Sequence, residues 1–205
     1  MATALLATTY FGPVQWYQKL NRSEACLIDA HESFQKQTYR NRCIIATPSG
    51  PQALTVPVER ASDGDEGIRH IRISDHGNWR HQHWNALCSA YGESPFFDYY
   101  ADDLRPMFEK RWEFLFDMNL DITRLMCQLL DIEPSLQLTE SYLPRNTEIP
   151  AEDYRDVIRP KHAPTDAQFQ PRRYWQVFGQ ATGFLPNLSV LDLLFCQGPE
   201  AVLYL

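Results

Sequence analysis

Apolar and polar positions change rhythm twice along the chain. The first third reads as short strands with one helix. Residues 4–10 form a short apolar run. Pro13 follows where a helix tolerates proline, in the first turn, and that helix is predicted through Leu20. Residues 25–30 are a second buried-strand candidate. Residues 43–47 and 53–58 flank Pro48-Ser49-Gly50-Pro51, whose proline and glycine supply the dihedrals of a hairpin turn. Ile68, Ile71 and Ile73 predict a fifth strand after a polar loop at 61–67.

The middle third is helical. Trp79, His83, Ala86 and Ala90 recur at helical spacing, with Asn78 as the expected N-cap and Gly92 and Pro95 as the stop. Residues 96–111 predict another helix, interrupted near Pro106. The stripe Leu115, Met118, Ile122, Leu125, Met126 and Leu129 marks a long amphipathic helix within 113–131. Leu136–Leu138 reads as a short strand. From 144 to 171 proline, acids and bases alternate without period, which predicts a long structured loop of the kind that carries function or moves. Two helices are expected to close the chain. Tyr174, Val177, Phe178 and Ala181 mark the first, and Ser189-Val-Leu-Asp192 opens the second as a capping box. The sum is an α/β or α+β single domain over residues 1–205, with a small mixed β-sheet, a β-hairpin and about five or six helices.

Composition narrows the function classes. With 205 residues, 44% hydrophobic and 22% charged, the chain is ordinary globular material. A chain of this length buries about 70% of its unfolded surface and needs no cross-link to fold. The net charge of −7 argues against a nucleic-acid polymer as partner. Every apolar run is shorter than the roughly 18–20 residues of a membrane span, so no membrane role is expected. Residues 1–10 lack the basic start of a secretory signal, and the five cysteines contain no C-x-x-C pair. A reduced, cytoplasmic protein with unpaired cysteines is expected. The P-loop, dinucleotide-fold and hydrolase-elbow signatures are missing, and the cofactor is left unassigned. Oligomeric state is left unassigned too. His81 and His83, two apart on a helix, face different sides, so no metal set is assigned.

The densest chemistry lies at 31–42, between two apolar runs. His31, Glu32 and Lys36 are the catalytic candidates: His31 or Glu32 can serve as general base, and Lys36 can hold a phosphate or carboxylate. Arg40 and Arg42 can bind an anionic group bidentately, alongside Tyr39 and Asn41. Following a buried strand, this segment lies where α/β folds gather side chains at a crevice. The site is expected between it, the Tyr10–Gln15 turn and the Tyr174/Asn187 region, so Tyr10, Gln15, Tyr174 and Asn187 join the substrate-binding candidates. The competing reading of 31–42 is a solvated connection whose charges pair among themselves. A second basic group, Arg155, Arg159, Lys161, His162, Arg172 and Arg173, either meets a small anion or pins its loop by pairing with Glu148, Glu152, Asp153, Asp156 and Asp166.

The same residues carry a resemblance. Tyr10-Phe-Gly-Pro-Val-Gln-Trp-Tyr17, Asp29-Ala-His31-Glu32-x-Phe34-x-Lys36-Gln37-Thr-Tyr39-Arg40-Asn41-Arg42-Cys43 and Leu54-Thr-Val-Pro57-Val58 resemble the WbqC-like protein family. So do Asn78-Trp79 with His83-Trp84, Ala90-Tyr91-x-x-Ser94-Pro95-Phe96, Leu115-Phe-Asp117-x-Asn119, Tyr174-Trp-Gln176-Val-Phe178 and the run from Gly183 to Phe195, then Gly198-Pro199. The similarity is to the branch found in Bacteroidetes-type bacteria. The resemblance implies a largely uncharacterised family linked to surface-polysaccharide (O-antigen) gene clusters. Many relatives carry a His before a Pro at the first strand's end, and an Asp-Asp-x-Gln pattern after the second strand. Thr8-Thr9-Tyr10 and His31-Glu32 stand there instead, and whether His31 replaces that histidine stays open.

The leading expectation is a cytoplasmic transferase acting on an activated sugar or related small anionic metabolite, such as a nucleotide-sugar. The alternatives are a non-catalytic ligand-binding or assembly protein with a buried arginine network, and a Cys–His acyltransferase using Cys43 or Cys88 with His31 or His83.

Overall fold

The computed structural model describes residues 3–59, 67–145 and 151–205. Strand β1 (Thr3–Leu6) is buried from Ala4 onward and is followed by α1 (Val14–Arg22) and β2 (Ala25–Ile28). Parallel neighbours cannot be joined by a tight turn, and α1 supplies the crossover between them. Its Val14-to-Leu20 face is buried along its whole length, Gln15, Gln18 and Lys19 included. Pro13 sits at the N-cap, one position before the first helical turn.

Four short strands make one parallel sheet in the order β5-β2-β1-β6, with β5 at Leu136–Leu138 and β6 at Ala151–Asp153. The register sets Thr3 against Ala25 and Ala151, and Cys26 against Leu136. The antiparallel pair stands apart: β3 (Arg42–Thr47) and β4 (Gly50–Thr55) form the expected hairpin, closed between Thr47 and Gly50. Gly50 has φ +108, a conformation that side chains rarely adopt.

Seven α-helices are found among the described residues. They include α2 (Trp79–Tyr91), α3 (Phe97–Leu104), α4 (Pro106–Glu109) and α5 (Leu115–Leu129). Pro106 separates α3 from α4 as its chemistry requires. Near the chain end lie α6 (Gly179–Thr182) and α7 (Val190–Gln197). One apolar core joins sheet, hairpin and helices, through Leu6, Tyr17, Ile45, Leu115 and Leu194 among others. No helix among the described residues is long and apolar enough to cross a membrane.

Five local expectations are corrected. Residues 68–73 are not a strand: Ile68–His70 is a 3-10 turn, and only single bridges join Ile73 to Val58 and Arg72 to Phe114. The three isoleucines are buried all the same. The long loop contains β6, which takes the free edge of β1. The helix expected from Tyr174 begins only at Gly179, because the Gln176 amide pairs with both backbone groups of Leu185 and holds the chain extended. Asn78 does stand at the N-cap of α2, but with φ +49 and without the side-chain capping bond that the position usually supplies. Ser189 does cap α7 through Leu191 N, but Asp192 does not return the bond. Its carboxylate accepts instead from Tyr91, Tyr174 and Gln176. The polar loop expected at 61–67 falls, except for Gly67, outside the described residues, as does Glu148.

Candidate functional site at the strand ends

Strand order reverses about β1: β2 joins on one side through α1, and β6 on the other. Crevices at the carboxyl ends of parallel strands form where the connections part in this way. Here the strand ends deliver charge. Asp29, the first residue past β2, is fully buried. Its Oδ1 accepts from the His31 amide at 3.0 Å and from Thr139 Oγ1 at 3.3 Å. Its Oδ2 accepts from Arg155 Nη1 at 2.5 Å. Arg155, two residues past β6, also forks onto Asp153, Nε to Oδ1 at 2.9 Å and Nη2 to Oδ2 at 2.6 Å, and donates to the Leu143 carbonyl at 2.8 Å.

Beside this triad runs a second string. Arg40 donates from Nε to Glu32 Oε1 at 2.9 Å and from Nη2 to Oε2. Arg145 Nη2 reaches the same Oε2 at 3.0 Å, while its Nε pairs with Asp156 at 3.0 Å. Arg145 Nη1 is buried without an acceptor. The seven charges sum to −1, three guanidinia against four carboxylates.

Electrostatics differ across the network. Burial raises the Glu32 carboxyl above its ordinary range, and Arg40 offsets part of this. Burial also works against the Asp153 carboxylate, but the Arg155 bonds outweigh it and hold the group low. Arg155 is itself held above its ordinary value: burial lowers it, and the bonds to Asp153 and Asp29 more than reverse that.

The predicted residues divide among several surroundings. Glu32 and Arg40 sit in the network; His31, whose amide bonds Asp29, and Lys36 are exposed, and Arg159 Nη2 reaches Gln35 at 3.5 Å. Gln15 and Asn187 bond reciprocally, and Gln15 Nε2 donates to Asp166 at 3.0 Å, beside a buried Lys19–Asp166 pair at 2.7 Å. This joins the 160s segment to α1. Tyr10 points into the core, where its hydroxyl meets His83 Nδ1 at 2.9 Å. Tyr174 bonds Asp192 at 2.7 Å. Tyr39 is buried, its phenol pushed up to about 12, and its carbonyl accepts the Tyr10 amide. Asn41 donates to the Val56 carbonyl, with Oδ1 buried and unpaired. Arg42 lies on the hairpin against Thr55 Oγ1 at 3.0 Å, away from Glu32's bonds.

The network members that the sequence did not single out are Asp29 and Arg145. Asp29 had a usable signal, a carboxylate closing an apolar run. Arg145 had none, since its partner Glu32 lies 113 positions away. Among the described residues no cluster of three His, Cys, Asp or Glu side chains is arranged to hold a metal ion.

A curated protein, "Uncharacterized protein Rv1507c" of Mycobacterium tuberculosis (strain ATCC 25618 / H37Rv), is 29% identical over 196 residues, covering 84% of this chain and 83% of its own. No solved structure gives a significant match. A model of the WbqC-like protein family matches residues 8–165, which holds most of the chain and every charge of the network. By that match, the chain belongs to the WbqC-like protein family.

Proposed function

We propose that the protein is a cytoplasmic transferase acting on an activated sugar or related anionic metabolite, such as a nucleotide-sugar, in surface-polysaccharide biosynthesis. One observation carries the reading: charged groups are concentrated in a buried network at the carboxyl ends of a parallel sheet, with Glu32 between two arginines. Burying ions costs free energy that apolar side chains would not, so their retention points to use. In this scheme Glu32 takes the proton from an acceptor hydroxyl as that oxygen bonds the activated carbon. The bond from that carbon to the leaving phosphate breaks, and the phosphate departs with the bonding electrons. The raised Glu32 carboxyl is shifted in the direction that proton transfer near neutrality requires. His31 is the alternative base. Lys36 and Arg145, with its spare Nη1, receive the anionic group. Arg40 positions Glu32 rather than the substrate, since both prongs of its fork are spent on that carboxylate.

Thermal-shift screening against nucleotide-sugars, nucleotides and acyl donors tests the reading. Stabilisation by one of them, lost in Arg145→Ala, supports it. No shift with any of them, or a shift unchanged in both Arg145→Ala and Lys36→Ala, removes it.

A second reading, a non-catalytic ligand-binding or assembly protein, draws on the near-total burial of the Arg40–Glu32 pair. Substituting Arg40 and Arg42 together separates the two: wholesale unfolding favours the structural role, and a folded but unresponsive protein favours the site. The acyl-transfer alternative lacks a ready thiolate, because burial pushes the Cys43 and Cys88 thiols up.

A further inference from the structure

A second cationic cleft lies away from the strand-end network, between the first turn of α2 and the short helix α4. It encloses about 350 Å³, within the range of small-ligand sites. Arg80, Arg105 and Arg111 line it against two carboxylates, Asp75 and Glu109, leaving the cleft one positive charge in a chain of net −7. Trp84 and Phe108 form its aromatic wall, their ring centroids 5.6 Å apart.

Arg80 is held there in an unusual state. Its guanidinium lies 4.6 Å above the Trp79 ring, and its side chain is only 13% exposed. Nη1 bonds Asp75 at 2.6 Å, yet Nε and Nη2 are buried and reach no acceptor. Unmade bonds of a buried cation are costly, and the missing partner has to be an acceptor, best an anion. Asp75 already plays that part incompletely: its second oxygen is shared with Arg111 at 3.5 Å. It stands where an exogenous oxyanion would bridge the two guanidinia. Arg105 is occupied by Glu109 through a solvent-exposed pair, which a stronger anion can displace at little cost.

We propose that this cleft is a separate binding site for a phosphorylated ligand with a planar ring, of the nucleotide class. The phosphate takes the Arg80 and Arg111 donors in place of the Asp75 carboxylate, and the ring lies on Trp84. The site is independent of the transferase reading, because it shares no residue with the strand-end network.

The test is titration calorimetry of the full-length protein with pyrophosphate, ADP and UDP, with tryptophan fluorescence as a second readout. Saturable binding of a nucleoside diphosphate is expected, weakened about tenfold or more in Arg111→Ala, which removes one charge-assisted contact. Trp84→Leu is expected to reduce nucleotide affinity to that of pyrophosphate. Asp75→Asn is expected to tighten binding severalfold, since it removes the competing carboxylate; a merely structural Asp75 would not give that gain. Arg145→Ala and Lys36→Ala are expected to leave the binding event that Arg111→Ala weakens unchanged, any loss they cause being confined to a separate event at the strand ends. Arg80→Gln serves as a further variant, and the exposed Arg111 keeps the test valid should that protein not fold. Absence of saturable binding overturns the proposal, as does binding insensitive to Arg111→Ala and Asp75→Asn. Binding lost instead in Arg145→Ala assigns the nucleotide to the strand ends and likewise overturns it.

Discussion

Acidification offers a sharp probe of the core beneath the β1 end. His83 is buried, with Nδ1 2.9 Å from the Tyr10 hydroxyl and a hydrogen bond to the Thr55 backbone, an arrangement that suits a neutral ring accepting from Tyr10 and donating to the Thr55 carbonyl. Burial holds its pKa down to about 4 from the ordinary 6.5, and the Thr55 bond offsets only part of this. Between those two values the unfolded chain carries a proton on this ring and the native protein does not. Native stability is therefore complete above pH 6.5 and is lost as the pH falls toward 4. At about 1.4 kcal/mol per pH interval, the loss from this one group totals about 3 kcal/mol. Glu32 and Asp192, both raised by burial, contribute the opposite slope in the acid range, so wild type must be read against a variant. His83→Gln keeps a donor and an acceptor but does not titrate. Urea unfolding at half-unit pH steps should give a wild-type curve falling more steeply than the variant's, the gap closing by about 3 kcal/mol between pH 6.5 and 4. Parallel curves would refute the argument that burial keeps this imidazole neutral.

Three further outcomes are expected. Arg155→Met leaves Asp29 buried without its cation and should cost about 3–5 kcal/mol, lowering Tm by about 6–20 °C; adding Asp29→Asn should restore part of it, and strict additivity in the double-mutant cycle would contradict the pairing. Asp166→Asn breaks the buried bond to Lys19 that ties the 160s segment to α1, so trypsin should cut after Lys161 faster than in wild type, and equal rates would deny that tether its role. Gly198→Ala adds a Cβ 2.5 Å from the Phe96 ring at a φ of +56, and chemical denaturation should register a loss of about 2–4 kcal/mol; a neutral result would show that the ring gives way freely.

Strong periodicity and turn chemistry made much of the fold legible. The stripe of α5, the Pro–Gly hairpin and the α1 crossover are written locally, each within a few residues of what causes it. β6 is not. Its three residues, Ala151-Glu-Asp153, carry one apolar side chain, and they are a strand because β1 offers an open edge. Ile68 and Ile71 show the converse: β-branched residues suggested a strand, but their spacing of three serves a 3-10 turn that buries both. The spacing at Tyr174 predicts a helix, and a side-chain amide two residues on decides otherwise. In the candidate site, Glu32 and Arg40 were visible because a polar segment between apolar runs has to be placed at a boundary. Arg155 and Asp153, two apart, are legible as a local pair, but the links from Arg145 to Glu32 and from Arg155 to Asp29 cross 113 and 126 positions and leave no local trace.

The parallel sheet also has a consequence for how the chain must assemble. Its first strand is interior, and one neighbour lies 148 positions downstream, where Ala151 aligns with Thr3. During synthesis β1, α1 and β2 can associate early, but the edge of β1 stays unpaired until Ala151–Asp153 has emerged. Pairings this distant in sequence slow folding because loop closure precedes any gain from contact. The Asp29–Arg155 bond spans 126 positions, so the buried carboxylate just past β2 also waits for its cation until β6 and the two residues after it have emerged. Nascent chains of this protein should accordingly remain vulnerable to strand-edge association until β6 docks, and acquire the charged network in the same late step.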